Sequence, residues 1–293
     1  MSHICVVMAV HNRIDSVNLA LRSWTQLQDY KDFSVVVADD GSTDDIESVA
    51  YGYGFDFPVY YCRREEGGNV AANLNNGTRH APPETTHIWY TDGDILMNKD
   101  AMGWAYKHIE EYPDRTIIGR YDWLPSMVIK TEDVSHNFQG IIDCKLPRIK
   151  VPGMPQGRRP DHRIGTKRYG ETFFDHLLFD NSRAILGANF IIPIKAFHDT
   201  GGWDEHISGS NANDCDFGWC LTEAGYGVLT CNHINGYHQF HQGDGAAKGE
   251  GARIALVYIF RKHGQELPPL YQPYIAKEKQ WRIDHGWPAP DDV

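Results

Sequence analysis

The sequence predicts an α/β fold, a mainly parallel sheet flanked by helices, on three observations. Short apolar runs of β type alternate through about residue 112 with stretches whose apolar residues recur at helical spacing. The first runs break off into clusters of Asp, Asn and Gly, as strands do when their carboxyl ends open onto loops. With 293 residues and 41% hydrophobic content, the chain can bury a substantial core.

Ile4 to Val10 is the first strand, stopped by His11-Asn12-Arg13, and Val17, Leu21, Trp24 and Leu27 then mark a helix. Phe33 to Ala38 is the second strand and ends at Asp39-Asp40-Gly41-Ser42-Thr43-Asp44-Asp45. Ser42 or Thr43 suits a helix N-cap, and Asp44, Asp45 and Glu47 suit the first turn, where the helix dipole favours negative charge. Capping does not account for Asp39 and Asp40. They sit at the strand's carboxyl end, where open α/β sheets bind ligands, with turn chemistry as the alternative for both. Val59 to Cys62 is the third strand, and Asn69 to Ala81 is a helix carrying Asn69, Asn73 and Asn76-Gly77.

The run His87 to Leu96 places Asp92 and Asp94 two residues apart at the end of a strand. In an extended chain both carboxylates project to one side, and Gly93 lets the backbone bend between them. Together they can reach one hard divalent cation, Mn²⁺ or Mg²⁺, and a phosphate-bearing ligand. A lone Asp-x-Asp is as readily a solvated turn, so the weight rests on the ordered company it keeps.

Val6 to Asn12, Val35 to Asp45, Gly68 to Ala81 and Tyr90 to Ile95 resemble, in order and spacing, the nucleotide-sugar-binding half of family-2 glycosyltransferases with the GT-A fold. Gly187 to Pro193, Gly201-Gly-Trp-Asp-Glu205, Asn213 to Leu221 and Gly225-Tyr226 resemble the acceptor half of that family. The resemblance implies a Rossmann-like GT-A sheet with a C-terminal acceptor-side lobe. It also implies metal-dependent, inverting transfer from a nucleotide-diphosphate sugar, a UDP-sugar by preference, to an acceptor hydroxyl.

Carried over residue by residue, the likeness assigns the donor to Val10, Asn12, Asp39, Asp40, Asn73, Asp92, Gly93 and Trp203. Asp39 would accept a hydrogen bond from a base such as uracil, Asp40 would support the loop, and Trp203 would face substrate. Asp92 and Asp94 would hold the metal. Asp214 matches the general base, with Asp216 as the substitute, although both also suit the cap of the helix they begin. The third metal ligand is expected from Tyr237-His-Gln-Phe-His241, with His241 ahead of His238. Two positions depart from the pattern: Ala72 stands where many relatives carry Arg, and Asn213 where they carry Glu.

Residues 1–112 are thus read as the nucleotide-sugar-binding half, 113–245 as the acceptor and catalytic half, and 246–293 as a C-terminal helix and proline-rich tail, together one compact domain. The formal net charge is −11, yet Lys145 to Arg168 holds eight basic side chains against one acidic, a local +7 that leaves −18 on the rest. Pro and Gly through that segment predict a long loop, either a solvated excursion or a platform for an anionic partner. Acceptors in the second case include the modified bases of DNA or another polyanion. A GT-A protein that binds nucleotide sugars without turnover is the reading from a different class. No apolar run approaches a membrane span and the first strand follows Met1-Ser-His3 directly, while the six cysteines lack metal-cluster spacing, so a reduced, cytoplasmic chain is expected.

Overall fold

The computed structural model describes residues 2–26, 30, 32–52, 54–124, 178–179, 185, 188–207, 212–239 and 245–287. The four expected strands form as β1 (Ile4–Val10), β2 (Phe33–Asp39), β3 (Val59–Arg63) and β4 (His87–Asp92). Between them run α1 (Ile14–Gln26), α2 (Ile46–Tyr51) and α3 (Val70–Arg79). The N-cap of α2 is Asp45, not Ser42 or Thr43, and its carboxylate accepts from the Ser48 amide at 3.2 Å.

Beyond β4 come β5 (Ile95–Met97), α4 (Ala101–Glu111), β6 (Thr116–Leu124), β7 (Leu178–Phe179), β8 (Asn189–Pro193) and α5 (Ile194–Thr200). The chain continues through α6 (Asn213–Glu223), β9 (Val228–Gln239), α7 (Gly245–Lys262), a 3₁₀ turn (Pro269–Tyr274) and α8 (Ile275–His285). No helix among the described residues is long and apolar enough to cross a membrane.

All the strands join one sheet in the order β3-β2-β1-β4-β8-β6-β9-β5, with β7 also on β9. The expectation of a mainly parallel sheet holds for β3-β2-β1-β4, where each neighbouring pair is parallel, and for β6 with β9, but β8 runs antiparallel to both β4 and β6. The sheet is therefore mixed. Only Gly93 and Asp94 separate β4 from β5, far too few residues for the crossover that parallel pairing needs. Since β5 forms the opposite edge of the sheet yet follows β4 directly, the sheet must curl. That curl returns the end of β9 to the carboxyl end of β4.

Alternation along the strands divides the core. Ile4, Val6, Met8, Val35 and Val37 pack with Val17, Leu21 and Trp24 of α1 and Met102 and Ile109 of α4. Cys5, Val7, Val36 and Ala38 pack on the other face with Leu74 of α3, Phe217 and Leu221 of α6, and Trp203. α3 lies close on the sheet because Gly77 leaves room: a Cβ there would stand 2.6 Å from Val7 Cγ1 and 2.9 Å from Ala38 Cβ.

The Gly201-Gly-Trp-Asp-Glu205 segment ties the two halves together. Gly201 and Gly202 turn the chain at φ of +77° and +82°, and a Cβ on Gly202 would stand 2.7 Å from Asn75 Oδ1. The Asn75 amide donates to the Trp203 carbonyl and accepts from its N–H, both at 2.9 Å, and also donates to Glu205 at 2.8 Å. Asp204 turns the other way and accepts from Lys262 of α7 at 2.7 Å.

Candidate active site

The carboxyl ends of β1, β2 and β4 open on one side, and the loops there are braced by their own polar side chains. Asn12, at the left-handed φ of +57°, donates its amide to Ser42 Oγ, while its side-chain oxygen accepts from the Thr43 and Asp44 amides. Asp40 accepts from the Gly68 and Asn69 amides at 2.8 and 3.0 Å and pairs with Arg64, so it fixes the turn into α3. Asn73 donates to the Ala38 carbonyl at 2.7 Å and holds α3 against the end of β2. Val10 is buried and its carbonyl accepts from the Asp40 amide.

Asp39 is wholly buried and heavily engaged. One oxygen accepts from the amide and hydroxyl of Ser42, and the other from Tyr61 at 2.7 Å and Arg63 at 3.2 Å. A contact from Asp39 to a nucleotide base therefore requires one of these bonds to be exchanged. Tyr61 and Arg63, on the edge strand β3, carry no motif signal and were not singled out by the sequence.

Asp92 ends β4 and Asp94 precedes β5, with Gly93 pressed so close that a Cβ would stand 2.9 Å from Val10 Cγ2. The curl of the sheet delivers His238 to the same place. Ile95 pairs with His238 across β5 and β9, and the Gln239 amide donates to the Asp94 carbonyl at 3.0 Å. One ligand atom each from Asp92, Asp94 and His238 lie within 4.8 Å of one another.

The His238 ring is oriented as a ligand requires. Its Nδ1 lies 2.8 Å from the Gln239 carbonyl, which can only accept, so Nδ1 carries the proton and Nε2 is the nitrogen toward Asp94, at 3.6 Å. Two carboxylates and an imidazole suit Mn²⁺ or Mg²⁺ with positions left for phosphate oxygens. His241, set ahead of His238 from the sequence, lies outside the described residues, as does the basic segment from Lys145 to Arg168.

Asp214 lies in the first turn of α6. Its charge reaches Asp92: burial and then the charges of Asp94 and Asp214 push the Asp92 carboxyl up to about 6, against the pull of His238 and Arg13. Asp92, Asp94 and His238, from the end of β4, the turn before β5 and β9, thus converge, with Asp214 of α6 near enough for its charge to act on Asp92.

Two expected site residues stand elsewhere. Asp216 is 1% exposed and is bound by Lys262, the last residue of α7, at 3.1 Å and by the following His263 at 2.9 Å. The physical reason is helical geometry, since residues two apart on a helix point about 200° away from each other, so Asp214 and Asp216 cannot serve one site. Trp203 is 2% exposed and packs face to face with Phe217 at 4.3 Å and edge-on to Tyr90 at 5.2 Å. Its ring is core and offers no face to a sugar. At the two departures, Ala72 brings no charge to α3, and Asn213 is a buried amide at the start of α6.

A family model for glycosyl transferase family 2 matches residues 5–177. The hyaluronan synthase of Pasteurella multocida is 23% identical over 290 residues, a match covering 93% of this chain and 28% of that protein. The chain thus spans less than a third of that relative's length. Among solved structures, S. aureus TarS 1–349 in complex with UDP-GlcNAc superposes with a TM-score of 0.60 at 15% identity, over 97% of this chain and 73% of that one. The mannosyltransferase PcManGT from Pyrobaculum calidifontis, in complex with GDP-Man and Mn²⁺, gives 0.58 at 17% identity, over 99% and 73%.

Proposed function

Since the chain belongs to glycosyltransferase family 2 and carries its GT-A fold, we propose that it moves a sugar from a nucleoside-diphosphate sugar to an acceptor hydroxyl with inversion at the anomeric carbon. The observation that carries the reading is the convergence of Asp92, Asp94 and His238 on one point, with the Asp214 charge felt at Asp92. These three residues would hold a divalent cation, which supplies Lewis-acid neutralisation of the leaving diphosphate.

The chain's own residues do the rest. Asp214 takes the proton from the acceptor hydroxyl as its oxygen attacks the anomeric carbon, and the bond to the diphosphate oxygen breaks on the opposite face. One displacement gives inversion. Arg64 with Asp40, and Asn12 with the loop before α2, hold the donor-side turns in place while this happens. A UDP-sugar is the donor we favour, supported by the resemblance of the TarS complexes with UDP and UDP-GlcNAc. The acceptor we favour is anionic, on the +7 concentrated between Lys145 and Arg168.

The test is release of nucleoside diphosphate from UDP-GlcNAc, UDP-glucose and GDP-mannose with Mn²⁺, in the parent and in Asp94→Asn. Release from one donor is expected in the parent, falling by roughly 10²-fold or more in the variant, with steep salt inhibition for an anionic acceptor. Equal Mn²⁺-dependent turnover in the two proteins removes the metal assignment.

A further inference from the structure

A second group of ligand-bearing side chains lies between α6 and the end of α7, on the side of α6 turned away from Asp214. Asp216, Cys220 and His263 each bring one ligand atom to within 4.8 Å of the other two. Asp216, Cys220 and Glu223 stand at i, i+4 and i+7 along α6, so they line one face of that helix. His263 follows α7 directly and meets that face.

The imidazole is held as a ligand ring is held. Its Nδ1 lies 2.9 Å from a Glu223 oxygen and its Nε2 lies 2.9 Å from Asp216 Oδ1, while Trp219 stacks on the ring at 5.2 Å. A carboxylate behind one ring nitrogen fixes the ring and turns the other nitrogen toward a metal. Cys220 hydrogen-bonds to the same ring. Asp216 is divided in the same way: Oδ2 takes the Lys262 ammonium at 3.1 Å, and Oδ1 faces the imidazole. Asp204 offsets the Lys262 charge at 2.7 Å, so the charges of Asp216 and Glu223 remain to receive a cation. The side chains of Asp216 and His263 are 1% and 3% exposed.

Tetrahedral bonds of about 2.0–2.1 Å to oxygen and nitrogen set those two atoms about 3.3 Å apart. The Asp216–His263 contact needs to open by only a few tenths of an ångström to admit the ion. A thiol is a weak hydrogen-bonding group and adds little to an ion pair between Asp216 and His263. Sulfur, nitrogen and oxygen together are a zinc set, softer than Asp92, Asp94 and His238.

We propose that Asp216, Cys220 and His263 form a zinc site, with water in the fourth position, that ties the C-terminal helices to α6. Zn²⁺ takes the place of the proton on His263 Nε2; that proton and the thiol proton of Cys220 leave to solvent, and Glu223 keeps the Nδ1 proton. The site stands apart from the donor reading and does not depend on it.

The experiment uses the full chain, stripped with EDTA and titrated with Co²⁺ and then Zn²⁺, in the parent, Cys220→Ser, Glu223→Ala and Asp94→Asn. Cobalt bound through sulfur gives a thiolate-to-metal charge-transfer band in the near ultraviolet, which two carboxylates and an imidazole do not give. The parent and Asp94→Asn should show the band, Zn²⁺ should displace it, and Cys220→Ser should lack it. Glu223 is half exposed, so Glu223→Ala leaves the fold in place; it should weaken Co²⁺ at this band by roughly 10- to 100-fold. Zn²⁺ should also raise the melting temperature of Asp94→Asn, in which the other metal position is disabled. A parent without the band overturns the proposal, as does a band that survives in Cys220→Ser, one that is lost in Asp94→Asn, or a Co²⁺ titration unchanged in Glu223→Ala.

Discussion

At Asp214 a single exchange of oxygen for nitrogen separates two roles. Its Oδ1 accepts from the Cys215 amide at 2.8 Å, and an asparagine keeps that bond while losing the ability to take a proton. Asp214→Asn should therefore leave the melting temperature near that of the parent and cut turnover by roughly 10²–10⁴-fold, with donor affinity held. A lowered melting temperature with intact turnover would make the residue a cap. Asp92 gives the complementary result. Its carboxyl is raised from 3.8 to about 6, so its contribution to stability is whole below the unfolded value and is lost as pH rises through about 6. In EDTA at pH 7, Asp92→Asn should melt above the parent, and the gap should close toward pH 4; a variant that melts lower at pH 7 contradicts the crowding of charge at this site. The crowded carboxylates are thus held at a cost in stability above about pH 6.

At the level of elements, the strand and helix sequence was readable because each run has its own period. β1 is an unbroken apolar stretch and α1 repeats every three to four residues. What periodicity does not encode is strand order, and strand order decides which side chain of β9 stands beside Asp92 and Asp94. The curl that sets β5 beside β9 brings His238 to Asp94, a pairing between stretches far apart in sequence that no local pattern announces. The packing of Trp203 is hidden from the sequence for a similar reason, since a glycine-flanked tryptophan looks the same whether its ring meets a sugar or Phe217. Asp216 was legible after all, because the turn of α6 alone sets it opposite Asp214. The close approach of α3 offers a test at this scale. Gly77→Ala puts a methyl against Val7 and Ala38, both on central strands with little room to yield, and should cost about 1–3 kcal/mol in denaturant unfolding. A loss under half that would show that the helix can lift.

Across the whole molecule, a buried charge cluster fastens the C-terminal helices to the helix that bears Asp214. Lys262 joins Asp204 and Asp216, and His263 lies between Asp216 and Glu223. Burial alone would lower the His263 value, but Asp216 and Cys220 carry it from 6.5 up to about 10. Raised in this way, its contribution is complete below about pH 6.5 and drains away as pH climbs toward 10. Thermal unfolding followed from pH 6 to 10 should show the parent losing stability, and His263→Gln should flatten that slope; parallel curves would exclude the imidazolium from the clamp. The sheet order has one more consequence, for how such a protein diversifies. Leu124 closes β6 and Asn189 opens β8, and these strands are antiparallel neighbours through Ile117–Ile191 and Ile118–Phe190. Earlier in the chain than β8, Leu178 of β7 pairs with Leu229 of β9 while Leu124 pairs with Gln239 of the same strand, so both ends are set by β9, and lengthening a connection between fixed ends costs little more than the logarithm of its length. A connection between two such fixed ends can change in length or sequence while the β6–β8 register and the carboxylates of β4 stay where they are.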